Sequence, residues 1–375
     1  MSSAAKYAGF DSMRGIAALL VFIFHFYGLS GMVAIAGQGF LHTVGLAGHV
    51  GLDIFFVLSG FFIFRSIYIN GVNKTYFQRR FFRIAPIYYF SLIIALAFLT
   101  PVTLTTLSGM KDIVAHLFFL QSFSPSTYYG INPVLWSLSI EMIFYFFLPL
   151  FFIITKKNTR RIIVFALLMA IASYLFRYYI TTFYGAWDSI TRVIFTENFI
   201  GRADQFAFGM LASLVVLRYP GNKILTYLSP VFLAIGAVGI YWGMSVFAEL
   251  GGGFRDVLFY QIFLHSLIGL FTALFFVGLF FAHKGIKVVM GNPITEFLGK
   301  ISYSFYIWHF IVIEQVMKLT LGLTYSFLYS LAIALVLSTM TYYFVEKPFL
   351  DRRGYPHSFD NGSKKGYFSH SGATP

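Results

Sequence analysis

The sequence predicts an all-α protein, a transmembrane bundle of about ten helices. Of its 375 residues, 58% are hydrophobic and only 11% are charged, whereas soluble domains carry about 25% charged residues. Apolar runs of about 20 residues, the length that crosses a bilayer as a helix, recur along the whole chain. The chain shows none of the alternating segments of about ten residues that form the strands of a membrane β-barrel.

The predicted spans follow one another along the chain. They cover residues 12–31, 47–66, 84–100, 135–155, 162–180, 198–217, 224–244, 257–282, 297–317 and 325–345. A further apolar patch, Ile113–Leu120, is too short to cross a membrane and predicts a re-entrant or interfacial helix. Residues 8–350 are therefore predicted to form one transmembrane domain. Residues 351–375, rich in Ser, Gly, His and Lys, predict a mobile cytoplasmic tail with little to bury.

The basic residues predict the orientation of the bundle. Ten crossings place both termini on the same side of the membrane. With the N-terminus inside, 21 of the 27 Lys and Arg residues lie on the inner side and four on the outer side. Because cytoplasmic loops of membrane proteins carry an excess of Lys and Arg, both termini are predicted to be cytoplasmic. The same rule accounts for the net charge of +13, so we expect membrane lipids and no nucleic acid as partners.

The composition narrows the chemistry that the protein can perform. The sequence has no cysteine, which excludes disulfides, thiolate nucleophiles and cysteine-based metal sites. We expect no metal, and candidate chemistry therefore rests on the polar residues inside the predicted spans. Ionisable groups in lipid are costly and are functional candidates by default.

The first predicted span carries two polar residues on one face. Arg14 and His25 are eleven positions apart, which on an α-helix leaves them about 20° apart around the axis and about 16 Å apart along it. A lone histidine in a helix is more often a hydrogen-bonded packing residue. The alignment with Arg14 favours a functional role for His25.

Five ionisable residues are predicted to lie at one depth. Counted from the ends of the predicted spans, they lie roughly 6–9 Å below the outer surface. They are His25, Asp53, Glu141, Arg202 and Asp204. This agreement predicts a shared polar site in the outer half of the membrane. The alternatives are that Asp53 only caps or pairs, and that Arg202 and Asp204 form a buried ion pair.

Glu141 is one candidate partner for the histidine. Ser137 and Tyr145 lie four positions to either side of it, so the three residues share a helix face. A structural hydrogen-bonded triplet is one interpretation, and a carboxylate that orients or charges a general-base histidine is the other. Asp53 is the second candidate for this role. His309, deeper in the ninth predicted span, lines the same cavity or only packs.

Arginines crowd the predicted inner start of the third span. Arg80 and Arg83 lie one turn apart and face the same way, with Arg14 at a similar depth. They could simply anchor the span at the inner surface, but guanidinium groups also suit phosphate oxygens. A phosphate-rich donor held here, with a long arm reaching towards His25, has the geometry of acyl-coenzyme A.

Seven segments follow one another between about residues 8 and 350: FDSMRGIAALLVFIFH, GLDIFFVLSGFFI, RRFFRIAPIYY, LWSLSIEMIFYFFLP, GRADQFAFGM, ISYSFYIWH and VEKPF. In this order they resemble the signatures of the acyltransferase 3 family of bacterial membrane acyltransferases. The resemblance implies an enzyme of the bacterial inner membrane. It implies that an acyl group is transferred from cytoplasmic acyl-CoA to a hydroxyl of a glycan acceptor. The acyl group is usually acetyl, and the donor is then acetyl-CoA. That acceptor would be a surface or exported polysaccharide, lipopolysaccharide or a lipid-linked sugar.

The resemblance also implies roles for individual residues. His25 is implied as the essential base, and Arg14, Arg80 and Arg83 as the residues that bind acyl-CoA. Glu141 matches the acid of a Trp-Ser-Leu-Ser-x-Glu motif, although a methionine follows it where many members carry a second acid. We predict His25, Glu141 and Asp53 to be catalytic, and predict substrate contacts from Arg202, Asp204, Tyr145, Trp136 and His309.

The predicted mechanism has His25, oriented by Glu141 or Asp53, remove the proton of an acceptor hydroxyl, which attacks the thioester. A covalent acyl-histidine relay is the variant. No segment resembles the extracytoplasmic hydrolase-like domain of some family members, so transfer is expected to finish in the membrane domain. A proton-coupled transporter or flippase of a sugar or lipid-linked sugar is the alternative function, although no inverted repeat is evident. A glycan polymerase or ligase with a lipid-linked donor is a third.

Overall fold

The computed structural model of the protein describes residues 9–32, 39–184, 188–250 and 257–352, and the predicted tail lies outside these ranges from residue 353 onwards. Every regular element within the described ranges is helical, which confirms the predicted all-α class. The α-helices are α1 (Phe10–Leu29), α2 (Phe40–Ala47), α3 (Val50–Asn70), α4 (Lys74–Ile94), α5 (Leu107–Leu117), α6 (Pro125–Tyr128), α7 (Trp136–Thr155), α8 (Thr159–Phe183), α9 (Ser189–Thr196), α10 (Phe199–Arg218), α11 (Lys223–Leu250), α12 (Leu258–Phe281), α13 (Lys284–Met290), α14 (Pro293–Met317), α15 (Leu323–Thr341) and α16 (Lys347–Arg352).

Two single-turn π-helices, called π turns below, and two short 3₁₀ turns lie between these α-helices. The π turns are Ala95–Leu99, after α4, and Tyr342–Glu346, between α15 and α16. The 3₁₀ turns, Pro101–Thr105 and Gln121–Phe123, lie on either side of α5.

Nine of the described helices are long and apolar enough to cross a membrane, which supports a multi-pass membrane protein. They are α1, α3, α4, α7, α8, α10, α11, α12 and α15. The predicted span 297–317 falls in α14, which has 25 residues but is not among the nine. This helix carries Ser302, Ser304, Tyr306 and His309, all of them buried against other helices. These polar side chains of α14 therefore face the protein interior. The side of the membrane on which the termini lie stays a prediction.

The patch predicted to be re-entrant or interfacial begins in α5, and its last three residues follow the end of that helix. With 11 residues, this helix is only about 16 Å long and cannot span a bilayer. Its polar residues Asp112 and His116 are buried, whereas Leu107, Val114 and Leu117 are exposed. An apolar outer face suits contact with lipid better than contact with water.

Aromatic side chains fill the core between five of the long helices. The ring of Phe22 on α1 lies 5.6 Å from that of Phe305 on α14. Phe206 on α10 lies 4.2 Å from Phe144 on α7 and 5.2 Å from Phe56 on α3. Offset and tilted ring pairs of this kind add to the apolar packing. They place α1, α3, α7, α10 and α14 around a common centre, where the candidate site lies.

Two glycines allow α3 and α10 to approach closely. A Cβ atom added to Gly60 would lie 2.2 Å from the carbonyl oxygen of Phe206, and one added to Gly209 would lie 2.1 Å from that of Val57. Small residues at such crossings are typical of membrane helix pairs. The contact keeps Asp53 and Arg202, on the same two helices, within reach of each other.

We expect Gly60→Val to destabilise the protein by about 1–3 kcal/mol, because the added side chain must push α10 away or strain the backbone. The measurement is the thermal unfolding midpoint of the purified protein in detergent. Gly285→Ala is the control, since a Cβ atom there meets nothing within 4 Å. An unchanged midpoint for Gly60→Val would contradict the close contact.

Candidate active site

His25 and His309 form a pair of hydrogen-bonded imidazoles where α1 packs along α14. Nδ1 of His25 lies 3.0 Å from Nε2 of His309. Nδ1 of His309 lies 2.6 Å from the carbonyl oxygen of Tyr306, one turn earlier on α14. His309 is fully buried and His25 is half-buried. The pair is thus held from one side by the backbone of α14 and open on the other.

These contacts select one tautomer for each ring. A carbonyl oxygen can only accept, so Nδ1 of His309 donates to Tyr306 and its Nε2 is an acceptor. Nδ1 of His25 must then donate to His309, and it also lies 3.0 Å from the carbonyl oxygen of Val21. Nε2 of His25 keeps its lone pair and makes no hydrogen bond within the described part of the chain. It can accept a proton from a hydroxyl group.

Glu141 lies in a separate small network on α7. Its Oε1 accepts from the hydroxyl of Ser59 at 2.7 Å and from that of Tyr145 at 2.6 Å. The predicted Glu141–Tyr145 face is therefore present, and Ser59, rather than Ser137, is the third member. Among the described residues, no hydrogen bond joins Glu141 to His25.

Asp53 belongs to a buried charged cluster between α3, α10 and α12. Nη1 of Arg202 lies 2.7 Å from Asp53, and Nδ1 of His265 lies 3.0 Å from the same carboxylate. Arg202 also donates to Glu197, and Gln205 donates to Asp53. The N-cap of α10, where the side chain of Asn198 accepts from the backbone, sets Arg202 in its first turn. Asp53 is therefore occupied by this cluster and does not contact His25.

Arg202 and Asp204 do not pair with each other. Asp204 accepts from Nη2 of Arg177 at 2.6 Å and from the hydroxyl of Ser266. The pairs Arg202–Asp53 and Arg177–Asp204 are both buried. Removing one partner of such a pair strongly destabilises a protein, because the other charge stays buried alone. The geometry supports a role of both pairs in holding α3, α8, α10 and α12 together.

The two aromatic residues predicted to contact substrate lie far apart on α7. The ring of Trp136 stacks on Tyr128 of α6 with centroids 5.1 Å apart. Tyr145 lies nine positions later, about 13 Å along the helix axis, beside Glu141. A single small group therefore cannot touch both rings.

The predicted donor-binding arginines lie near the start of α4 and on α1. Asn73 caps α4 by accepting from the backbone N–H of Tyr76, which places the arginines in its first turns. The guanidinium of Arg80 lies over the rings of Tyr76 and Tyr145, 5.8 and 5.9 Å from their centroids. Nη1 of Arg14 lies 3.3 Å from Asp11.

Arg83 forms a closer ion pair. Its Nη1 lies 2.7 Å from Oε1 of Glu346, and its guanidinium lies 5.9 Å from the ring centroid of Tyr303 on α14. Arg80 and Arg83, predicted to act alike, therefore have different surroundings: two aromatic rings for Arg80, a buried carboxylate for Arg83.

Polar groups lead from the arginines towards the histidine pair. Arg80 lies over Tyr145, whose hydroxyl is bound to Glu141. On the facing helix α14, the hydroxyl of Tyr306 is 2.7 Å from the hydroxyl of Ser137, while its carbonyl holds His309. Buried polar and ionisable groups of this kind mark a candidate functional path in a membrane protein.

A family model described as "Acyltransferase domain" matches residues 7–344, nearly the whole chain. The chain belongs to the acyltransferase 3 family. This confirms the resemblance carried by the seven sequence segments.

Relatives of the protein carry related names at low identity. A "Putative acetyltransferase" of Acidianus two-tailed virus is 25% identical over 323 residues, covering 84% of this chain and 86% of the relative. A "Putative O-acetyltransferase" of Staphylococcus aureus strain COL is 24% identical over 373 residues, or 91% of this chain and 57% of the relative. The "O-acetyltransferase OatA" of S. aureus strain NCTC 8325 is 24% identical over 393 residues, or 96% and 60%. The chain thus spans about three-fifths of the length of the staphylococcal relatives, and no solved structure matches.

The five residues predicted to lie at one depth do not form a single site in this protein but belong to separate hydrogen-bonded clusters. Sequence reasoning missed Glu197 and His265, and it gave no role to Arg177. His265 and Arg177 interrupt the predicted spans 257–282 and 162–180, so the rule for ionisable groups in lipid could have identified them. Glu197 lies just outside a predicted span and gave no such signal.

Proposed function

We propose that the protein is a membrane O-acyltransferase that moves an acetyl group from acetyl-CoA to a hydroxyl of a glycan acceptor. The observation that carries the proposal is the orientation of His25. Its Nε2 can accept a proton, and His309 holds the ring within a helical bundle of the acyltransferase 3 family. Relatives named as acetyltransferases support acetyl as the group that is transferred.

In the proposed reaction, Nε2 of His25 takes the proton of the acceptor hydroxyl. The oxygen of that hydroxyl attacks the carbonyl carbon of the thioester at the same time. The new ester bond forms as the carbon–sulfur bond breaks, and the leaving thiolate takes the proton from the imidazolium to give free coenzyme A. His309 accepts the Nδ1 hydrogen of His25 throughout, so the ring stays oriented. General-base catalysis of this kind contributes about 10²–10⁴-fold to a rate.

The donor is proposed to bind at the arginine end, with its phosphates near Arg14, Arg80 and Arg83 and its thioester directed towards His25. The acceptor is proposed to approach from the other side, as a surface or exported polysaccharide, lipopolysaccharide or a lipid-linked sugar. The topology predicted from the basic residues would make the arginine end cytoplasmic. We propose a bacterial inner membrane as the location, as the resemblance to bacterial membrane acyltransferases implies.

The direct test uses the purified protein in lipid vesicles with radiolabelled acetyl-CoA and cell-surface polysaccharide. We expect label to enter the polysaccharide as an ester that hydroxylamine releases, with one coenzyme A formed for each acetyl group. Passage of the polysaccharide across the vesicle membrane without covalent label would instead support a transporter. Absence of both would overturn the proposed donor and acceptor.

We expect Arg80→Ala to raise the KM for acetyl-CoA about 10- to 100-fold, since a hydrogen bond to a charged group contributes about 1.5–3 kcal/mol. The measurement is the initial rate of ester formation at varied donor concentration. Arg160→Ala is the matched control, because Arg160 is an exposed arginine on the same predicted inner side. An unchanged KM together with lower expression would show that Arg80 only anchors α4.

A further inference from the structure

Glu346 is a fully buried carboxylate with partners on two distant helices. Its Oε1 accepts from Nη1 of Arg83 on α4 at 2.7 Å, and its Oε2 accepts from the hydroxyl of Ser304 on α14 at 2.9 Å. Each carboxylate oxygen therefore has a partner on a different helix. The residue ends the π turn Tyr342–Glu346, an uncommon element that often occurs at functional sites.

Neighbouring contacts hold the same region together. The hydroxyl of Tyr303 donates to the carbonyl oxygen of Ile84 at 2.9 Å. The rings of Phe82 and Phe349 stack with centroids 5.9 Å apart and planes 10° apart. The residues on both sides of Arg83 are thus tied to α14 and α16, so the backbone that carries Arg83 is fixed independently of Glu346.

The side chain of Arg83, unlike its backbone, needs a partner that holds it in one orientation. An arginine side chain has several rotatable bonds, and ordering it costs conformational entropy. One nitrogen of its guanidinium bonds to Glu346, and the side chain remains 18% exposed. A guanidinium presents its N–H donors in a planar fork that matches phosphate oxygens, so the exposed part of Arg83 has the chemistry to contact a phosphate group.

We propose that Glu346 is a positioning residue of the donor site, which presents Arg83 in one orientation to the phosphates of the acyl donor. This inference rests on the proposed function. A binding group that is already ordered loses less entropy when the ligand arrives. Glu346 itself does not touch the donor, because its side chain is fully buried beneath Arg83 and Ser304.

The test measures the binding of coenzyme A to the full-length protein in detergent by calorimetry, together with the kinetics of acetyl transfer. We expect Glu346→Ala to raise the Kd for coenzyme A and the KM for acetyl-CoA about fivefold or more, with kcat within about twofold. Asp351→Asn is the matched control. Asp351 pairs with Lys347 at 2.8 Å on the surface of the same terminal segment, and this change should leave both constants unaltered.

A double substitution separates positioning from general destabilisation. Arg83→Gln alone leaves Glu346 buried without its cation, whereas Arg83→Gln with Glu346→Gln replaces the ion pair by two amides and removes both charges. If Glu346 acts through Arg83, Glu346→Gln should raise Kd in the parent and add nothing further in the Arg83→Gln background. Equal and independent increases in both backgrounds would overturn the proposal.

The outcomes also separate this inference from the proposed function. If the parent protein neither binds coenzyme A nor transfers acetyl groups, the proposed function fails. If the parent does both and Glu346→Ala binds coenzyme A as tightly as the parent, only the positioning role of Glu346 fails.

Discussion

Replacing His25 with alanine is expected to reduce acetyl transfer to the acceptor at least about 100-fold, while the Kd for coenzyme A stays within about twofold. The rate falls because the reacting hydroxyl loses the only group that we propose to take its proton. Donor binding persists because the proposed phosphate contacts lie at the other end of the bundle. The measurement pairs the rate of ester formation with calorimetric binding of coenzyme A.

His283→Ala is the control for the His25 substitution, since His283 is exposed at the start of α13. A normal rate with His25→Ala would contradict the base assignment. The same protein distinguishes direct transfer from an acyl-histidine relay. We expect no label to remain on the parent protein after incubation with labelled acetyl-CoA and no acceptor, whereas a relay would leave label that His25→Ala abolishes.

Substitutions of His309 are expected to follow a definite order, with glutamine retaining more activity than phenylalanine. Phenylalanine removes one of the two acceptors near Nδ1–H of His25 and leaves only the carbonyl oxygen of Val21, so the ring is held less firmly, and we expect kcat to fall about 100-fold. The amide oxygen of glutamine can reach the place of Nε2 and accept the same hydrogen bond. We therefore expect His309→Gln to recover about tenfold of that loss.

The readout is kcat at saturating donor and acceptor, with coenzyme A binding measured on each variant to show that the donor site is intact. His309 is fully buried, so a substitution there can disturb folding. A general loss of folding would reduce coenzyme A binding and kcat together. Equal activity of the glutamine and phenylalanine variants, with coenzyme A bound normally, would show that His309 only packs against α1.

The sequence predicted the helices well because the signal for them is local. A run of about 20 apolar residues must form a helix in lipid wherever it lies in the bundle. The predicted span 297–317 is helical too, as part of α14. Its polar residues make it less apolar than the other long helices, and it packs along α1 in the interior and supplies His309.

The candidate site was only partly predictable. The position of His25 along its helix follows from counting residues, and so does that of Asp53. The direction in which each side chain points relative to the other helices depends on packing, and counting does not give it. For this reason Asp53 and Glu141, predicted as alternative partners of His25, instead bind Arg202 and Ser59.

By itself the sequence determined the helical class, the membrane spans and the family, because hydrophobicity and short motifs are properties of neighbouring residues. Only the tertiary structure decided which polar groups meet. His25 is hydrogen-bonded to His309, which lies 284 positions away in the sequence, and Arg83 to Glu346, which lies 263 positions away. In an apolar surrounding each polar group must find a partner, but which partner is within reach is set by how the helices pack. That packing orients the one histidine nitrogen on which the proposed reaction depends.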